Sequence, residues 1–126
     1  MATIELTQNN FSQTIESSPL LLVDFWAPWC GPCRAFGPVF EAASEKHDDV
    51  VFAKVNTEDE QALAGALEIQ AIPTLMAFKQ GVLVYSDAGA LPAAALNQLI
   101  EQLRDFDVAA AVAADGTDTD ADTDAN

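Results

Sequence analysis

Hydrophobic and polar positions along the chain switch between two periods, and the switches mark the elements. Ile4-Glu5-Leu6 has the in–out alternation of a short strand, and the polar stretch after it offers Asn9 or Asn10 as a helix cap. A first helix is predicted over residues 11–17, ending before Pro19. Residues 20–26 form an apolar run broken only by Asp24, the pattern of a central strand covered on both faces. Phe36, Val39, Phe40 and Ala43 recur at helical spacing and predict a helix over 33–47 with that stripe inward. A strand follows over 50–55 and a short Ala-rich helix over 61–67. Two further strands, over 74–78 and 82–85, flank the turn Lys79-Gln80-Gly81. Pro92 suits the opening of a last helix whose core stripe is Leu96, Leu99, Ile100 and Leu103.

Strands interleaved with helices, then a hairpin and a closing helix, make an α/β domain with a mixed sheet covered on both faces. That domain is predicted over residues 1–108. Beyond it the composition changes: 109–114 is Ala-rich, and 115–126 holds five Asp, no basic residue and no aromatic one. Such a segment buries too little apolar surface to offset its ordering entropy, so 109–126 is expected to be a disordered acidic tail. Its alternating Asp118, Asp120, Asp122 and Asp124 lack the Gly and Glu that a calcium-binding EF-hand loop requires at set positions.

Charge and cysteine usage narrow the function. Acidic residues outnumber basic ones 20 to 5, for a net charge of −15. This excludes nucleic-acid binding, which relies on Lys and Arg for the phosphates, and disfavours an anionic membrane surface. The N-terminus has no basic segment leading into an apolar one, and no apolar run approaches the roughly 18 residues of a membrane span. A cytoplasmic, monomeric protein is expected. Half the residues are hydrophobic, which is enough for a core without disulfide staples. The two cysteines, Cys30 and Cys33, are too close to cross-link distant segments, and in a reducing compartment such a pair is redox-active or metal-binding. A structural zinc site needs a full tetrahedral ligand set. The single histidine, His47, sits in a polar run and is expected to be solvated at a helix end, so no metal or cofactor is expected.

The pair lies in Trp26-Ala27-Pro28-Trp29-Cys30-Gly31-Pro32-Cys33, between the end of a buried strand and the start of a helix. Cys30 at a helix N-terminus meets unpaired N–H groups and the positive end of the macrodipole, which favour its thiolate. Cys33 lies one turn deeper; Gly31 permits the bend between them and Pro32 fixes φ in the first turn. Cys30 is therefore the candidate nucleophile and Cys33 the resolving thiol. Asp24, alone in an apolar strand, has its pKa raised by desolvation; it fits either a proton acceptor for Cys33 or a carboxylate with a structural hydrogen-bond partner. Lys54 shares a sheet face with Phe52 and by itself reads as a snorkelling or exposed lysine. Pro73 by itself is ordinary punctuation at the start of a strand.

The segment Trp26-Ala27-Pro28-Trp29-Cys30-Gly31-Pro32-Cys33 resembles the active site of the thioredoxin family. The similarity extends to Val23-Asp24-Phe25-Trp26, Ala53-Lys54-Val55-Asn56, Ile72-Pro73-Thr74 and Gly89-Ala90-Leu91, and covers residues 4 to about 105. It implies five strands in the order 1-3-2-4-5 with four flanking helices, reduction of disulfides in client proteins, and electrons from an NADPH-dependent thioredoxin reductase. It implies that Asp24 accepts the Cys33 proton, that Lys54 lies near Asp24 and tunes it, and that Gly31 and Pro32 influence redox poise. It also implies that Pro73 is a cis-proline opposite the cysteines, where the backbone of Ile72 leaves an edge for an extended substrate segment. Trp29, Gly89 and Ala90 resemble the rest of the groove rim, and Trp26 a packing residue beneath it. Arg34 stands where lysine is frequent, Gly37 precedes the helix proline Pro38 and should soften its kink, and Gln70-Ala71 replaces a common basic residue and glycine.

Two other readings share these features. An oxidase or isomerase carries the same cysteine spacing but commonly a histidine between the cysteines, unlike Gly31-Pro32. A non-catalytic interaction module has no need of an intact cysteine pair together with Asp24 and Pro73.

Overall fold

The computed structural model of the chain describes residues 2–118. Its elements are β1 (Thr3–Glu5), α1 (Phe11–Ser17), β2 (Leu20–Trp26), α2 (Gly31–Lys46), β3 (Val51–Asn56), α3 (Gln61–Ala66), β4 (Thr74–Lys79), β5 (Val82–Ala88), α4 (Ala93–Asp105) and α5 (Val108–Asp118). The strands form one sheet in the order β1-β3-β2-β4-β5. β3 runs parallel to both β1 and β2, while β4 is antiparallel to β2 and β5. The sheet is mixed and five-stranded, as expected.

Strand periodicity divides the core into two layers. Leu20 and Leu22 of β2 point to the same side as Phe52, Leu75 and Ala77 and pack under Phe36, Phe40, Leu96 and Ile100 of α2 and α4. Leu21, Val23 and Phe25 point the other way, joining Ala53, Val55, Met76, Phe11 and Leu63. Asp24 follows Leu22 by two residues and so faces the α2 layer. It is opposite Lys54 in β3 and Leu75 in β4. Ring contacts tie the first layer together: Phe40 meets Phe36 at 5.7 Å and Phe52 edge-on at 5.2 Å between centroids.

Local chemistry sets several boundaries. Asn10 rather than Asn9 is the residue before α1, and its Oδ1 accepts from the Thr7 N–H at 2.7 Å, closing the turn into the helix. The β4–β5 turn is shorter than expected: Gln80 and Gly81 both have positive φ, +53° and +82°, the two-residue turn whose twist matches a hairpin. Lys79 therefore belongs to β4, and its Nζ donates to the carbonyls of Leu103, Arg104 and Phe106, each at 2.7 Å. These are orphan acceptors at the end of α4, and a lysine from the sheet satisfies them.

Two expectations fail. His47 is buried, not solvated. Arg104 only donates, so its Nη2 must donate to His47 Nδ1, at 2.7 Å, which leaves Nε2–H to donate to Asn97 Oδ1 at 2.8 Å. Arg104 also binds Asp49 through Nε and Nη2 at 2.7 and 2.8 Å, holding the Asp49 carboxyl down at about 2. The polar run around His47 concealed a hydrogen-bonded latch between α2 and α4. Residues 109–118, expected to be disordered, lie in helix α5. The Ala-rich run has high helix propensity, Asp107 Oδ1 caps the Ala110 N–H at 3.0 Å, and Val108 is buried. A fifth helix thus follows the four expected. The rest of the proposed tail, 119–126, lies outside the described residues.

Candidate active site

β2 delivers the chain to the site. After Trp26 the loop Ala27-Pro28-Trp29 turns, with the Cys30 N–H bonding to the Ala27 carbonyl at 3.2 Å, and α2 begins at Gly31. Cys30 is the N-cap: its Sγ accepts from the backbone N–H of Cys33 at 3.2 Å, and its carbonyl accepts from Arg34 N–H at 3.1 Å. The Cys33 N–H at the helix start therefore points at the Cys30 sulfur, an arrangement that stabilises a thiolate once the pair is reduced. The helix starts two residues earlier than the apolar stripe predicted, because Gly31 and Pro32 bury nothing yet fit the first turn.

Cys30 and Cys33 form a disulfide across 5.2 Å between Cα atoms. Both are nearly buried and pack with Ala27, Trp26 and Ile72. The Ile72 carbonyl oxygen lies 3.7 Å from Cys30 Sγ, and the Ile72–Pro73 bond is cis. The loop bearing it is braced by Thr74 Oγ1 donating to the Ala71 carbonyl and by Gly89 N–H donating to the Pro73 carbonyl at 2.8 Å. Gly89 has φ of +114°, a conformation that favours glycine, and Ala90 follows it, exposed.

Trp29 is 65% exposed at the rim, yet its orientation is held: the indole N–H donates to Glu58 Oε2 at 2.6 Å. Sequence reasoning missed Glu58. It lies in an acidic run before α3, and nothing in the chain marks it as reaching a tryptophan 29 positions away. Arg34, next to Cys33, donates through Nη1 to the Pro28 carbonyl at 3.0 Å and so staples the active-site loop to α2.

Asp24 is 1% exposed, and neither carboxyl oxygen has a hydrogen-bond partner among the described residues. Burial pushes its pKa from 3.8 up to about 7, and the charge on Lys54 pulls the other way. The Lys54 ammonium lies 4.9 Å from the centroid of the Trp26 ring, a cation–π contact. Lys54 is therefore half-buried and turned inward, not a freely exposed lysine. On the other side it meets α2, where a Cβ added at Gly37 would come within 3.9 Å of Nζ. That is ordinary contact, and α2 continues unbroken through Pro38.

A cysteine pair at the head of a helix, in a β1-β3-β2-β4-β5 sheet, defines a dithiol–disulfide oxidoreductase. The family model for Thioredoxin matches residues 2–102. A thioredoxin 2 homologue of Streptomyces coelicolor is 50% identical over 107 residues, covering 85% of this chain and 80% of its own. Thioredoxin 1 of Synechococcus elongatus is 44% identical over 99 residues, covering 77% and 92% respectively. Among solved structures, a mutant thioredoxin from Halobacterium salinarum superposes with a TM-score of 0.77 at 32% identity, over 83% of this chain and 93% of the other. The chain belongs to the thioredoxin family.

Proposed function

We propose that the chain reduces disulfides of client proteins in the cytoplasm as a monomer, and that an NADPH-dependent thioredoxin reductase restores its dithiol. The observation that carries this reading is the Cys30–Cys33 disulfide at the head of α2, with the Ile72 carbonyl 3.7 Å from Cys30 Sγ. In the reduced protein the Cys30 thiolate attacks one sulfur of the client disulfide. The client S–S bond breaks, a Cys30–client disulfide forms, and the first client sulfur leaves as a thiolate that takes a proton. Cys33 then attacks Cys30 Sγ, giving its proton to the Asp24 carboxylate. The second client thiolate leaves and the Cys30–Cys33 disulfide is complete. Two electrons have passed to the client, and the reductase returns them from NADPH.

Asp24 suits this role because a carboxyl group near neutral pKa exchanges a proton readily at physiological pH. It faces the α2 layer, where Cys33 lies one turn before Phe36. Lys54 keeps enough of it ionised to act as acceptor. Gly31 and Pro32 set the poise of the pair through the geometry of the first helical turn. Trp29, Ile72, Pro73, Gly89 and Ala90 form the rim on which the client segment docks. Pro73 has no N–H to compete for that segment, which pairs with the backbone of Ile72 beside Cys30.

The test is a coupled assay with NADPH, thioredoxin reductase and a disulfide-bonded protein. Wild type turns over and Cys30→Ser does not. Cys33→Ser accumulates a mixed disulfide through Cys30, seen by mass spectrometry. Turnover by Cys30→Ser would overturn the assignment, and a strongly oxidising reduction potential would favour an oxidase instead.

A further inference from the structure

Two shallow hollows lie on either side of the loop that presents Ile72. The first, about 200 Å³, is walled by Trp29, Thr57, Ala64 and Ile72, and the second, about 330 Å³, by Leu67, Met76, Glu68 and Asp87. Ile69, Gln70 and Ala71 belong to both and form the ridge between them. The smaller hollow is mainly apolar and the larger one mixed, and every charge on their walls is negative. Glu68 and Asp87 line the larger one, and Glu58 grips the Trp29 indole that walls the smaller. Glu68 has φ of +58°, in the left-handed region where glycine or asparagine costs less, yet the chain places an acid there.

The chain's five bases all lie elsewhere. Arg34 is tied to the Pro28 carbonyl, Lys54 lies over Trp26, and Lys79 holds the end of α4. Arg104 pairs with Asp49 and Glu101, and Lys46 lines a separate groove between α2 and α4. Among the described residues, no lysine, arginine or histidine lines either hollow.

Resting on the proposed disulfide reduction, we infer that this groove selects clients by charge: the segment docking beside Cys30 carries an apolar residue flanked by lysine or arginine. A client strand paired with Ile72 sends successive side chains to opposite faces. Residues within two or three positions of its cysteine then reach both hollows, where an apolar side chain covers the smaller and a cation meets Glu68 or Asp87 in the larger. A client with acidic flanks meets like charge at the same places, and repulsion slows its encounter.

The inference is tested with two disulfide-bonded peptides that share the same apolar residue beside the cysteine, one flanked by lysines and one by glutamates. The chemically reduced full chain is mixed with each, and a single turnover is followed by peptide thiol release. The lysine peptide should react roughly tenfold faster at low ionic strength, and the ratio should approach unity near about 1 M salt. The double substitution Glu68→Gln with Asp87→Asn should shrink the low-salt ratio to about threefold or less, by the loss of two nearby charges. Glu16→Gln with Asp105→Asn removes the same charge outside both hollows and should leave the ratio near its wild-type value. Equal rates for the two peptides, or an equal fall in both double variants, would overturn the inference while leaving disulfide reduction intact. Failure to reduce neutral hydroxyethyl disulfide as well would overturn both.

Discussion

Replacing Asp24 by asparagine should stabilise the oxidised protein at neutral pH and have almost no effect in acid. The side chain is 1% exposed with neither oxygen partnered among the described residues, and its pKa rises from 3.8 to about 7. With about 1.4 kcal/mol for every tenfold change in the proton equilibrium, ionising it in the folded state costs about 4 kcal/mol more than ionising it in the unfolded chain. Between pH 3.8 and about 7 the native state binds more protons than the unfolded state, so wild-type stability falls as pH rises through that window. Below it both states are protonated and the penalty is absent; above it the penalty is constant. Asparagine has nearly the same shape and does not ionise. The variant should therefore gain up to about 4 kcal/mol near pH 8, less where the native structure relaxes around the charge, and close to nothing near pH 3.5. Urea unfolding of both oxidised proteins across this range measures the difference, with an unchanged slope m showing that the unfolded state is the same. Single-turnover reduction by the reduced variant should be slowest relative to wild type above pH 7, where wild-type Asp24 is ionised. A stability difference that does not depend on pH would refute the desolvated acid, and an unchanged rate would remove Asp24 from the mechanism.

Lys54→Met removes the charge that lowers the Asp24 pKa, so the pH window of falling stability should extend upward. The variant should lose stability relative to wild type above pH 7 and little below pH 4, as read by the same unfolding series. Arg104→Leu leaves Asp49 without its two hydrogen bonds and His47 Nδ1 without its donor, and should cost about 1–2 kcal/mol at pH 7, the buried imidazole contact weighing more than the exposed ion pair. Asp49, held near 2, contributes its part above pH 3.8 and loses it as pH falls toward 2, so the penalty of the substitution should shrink in acid. Asp107→Ala removes the cap of α5 and should cost that helix about 1 kcal/mol, visible as faster hydrogen exchange at Ala110 and Ala111 with the global midpoint nearly unchanged.

The order of elements and the reactive pair were legible because each rests on local patterns. A continuous apolar strand, an i, i+3, i+4, i+7 stripe, and a Gly-Pro between two cysteines at a helix start carry their meaning within a few residues, whatever surrounds them. Asp24 stood out for the same reason: one acid in a run of seven strand residues. What the patterns left undecided was every property that depends on a partner distant in sequence. Whether Asp24 is satisfied or orphaned turned on the neighbours β3 and β4 supply, and on the aim of the Lys54 ammonium, which lies over Trp26. His47 looked like a solvated helix end until α4 brought Asn97 and Arg104 onto its two nitrogens. Glu58 became part of the active-site rim only when the loop before α3 came up beside Trp29. The 109–118 segment differs for the opposite reason: the acidic composition of the tail argues for disorder, while the helix propensity of the Ala-rich run and the cap at Asp107 are local and prevail. Periodicity and turn chemistry are encoded by neighbours along the chain; charge state, burial of a polar group and the walls of a groove are set by neighbours in space, and only the tertiary structure brings those together.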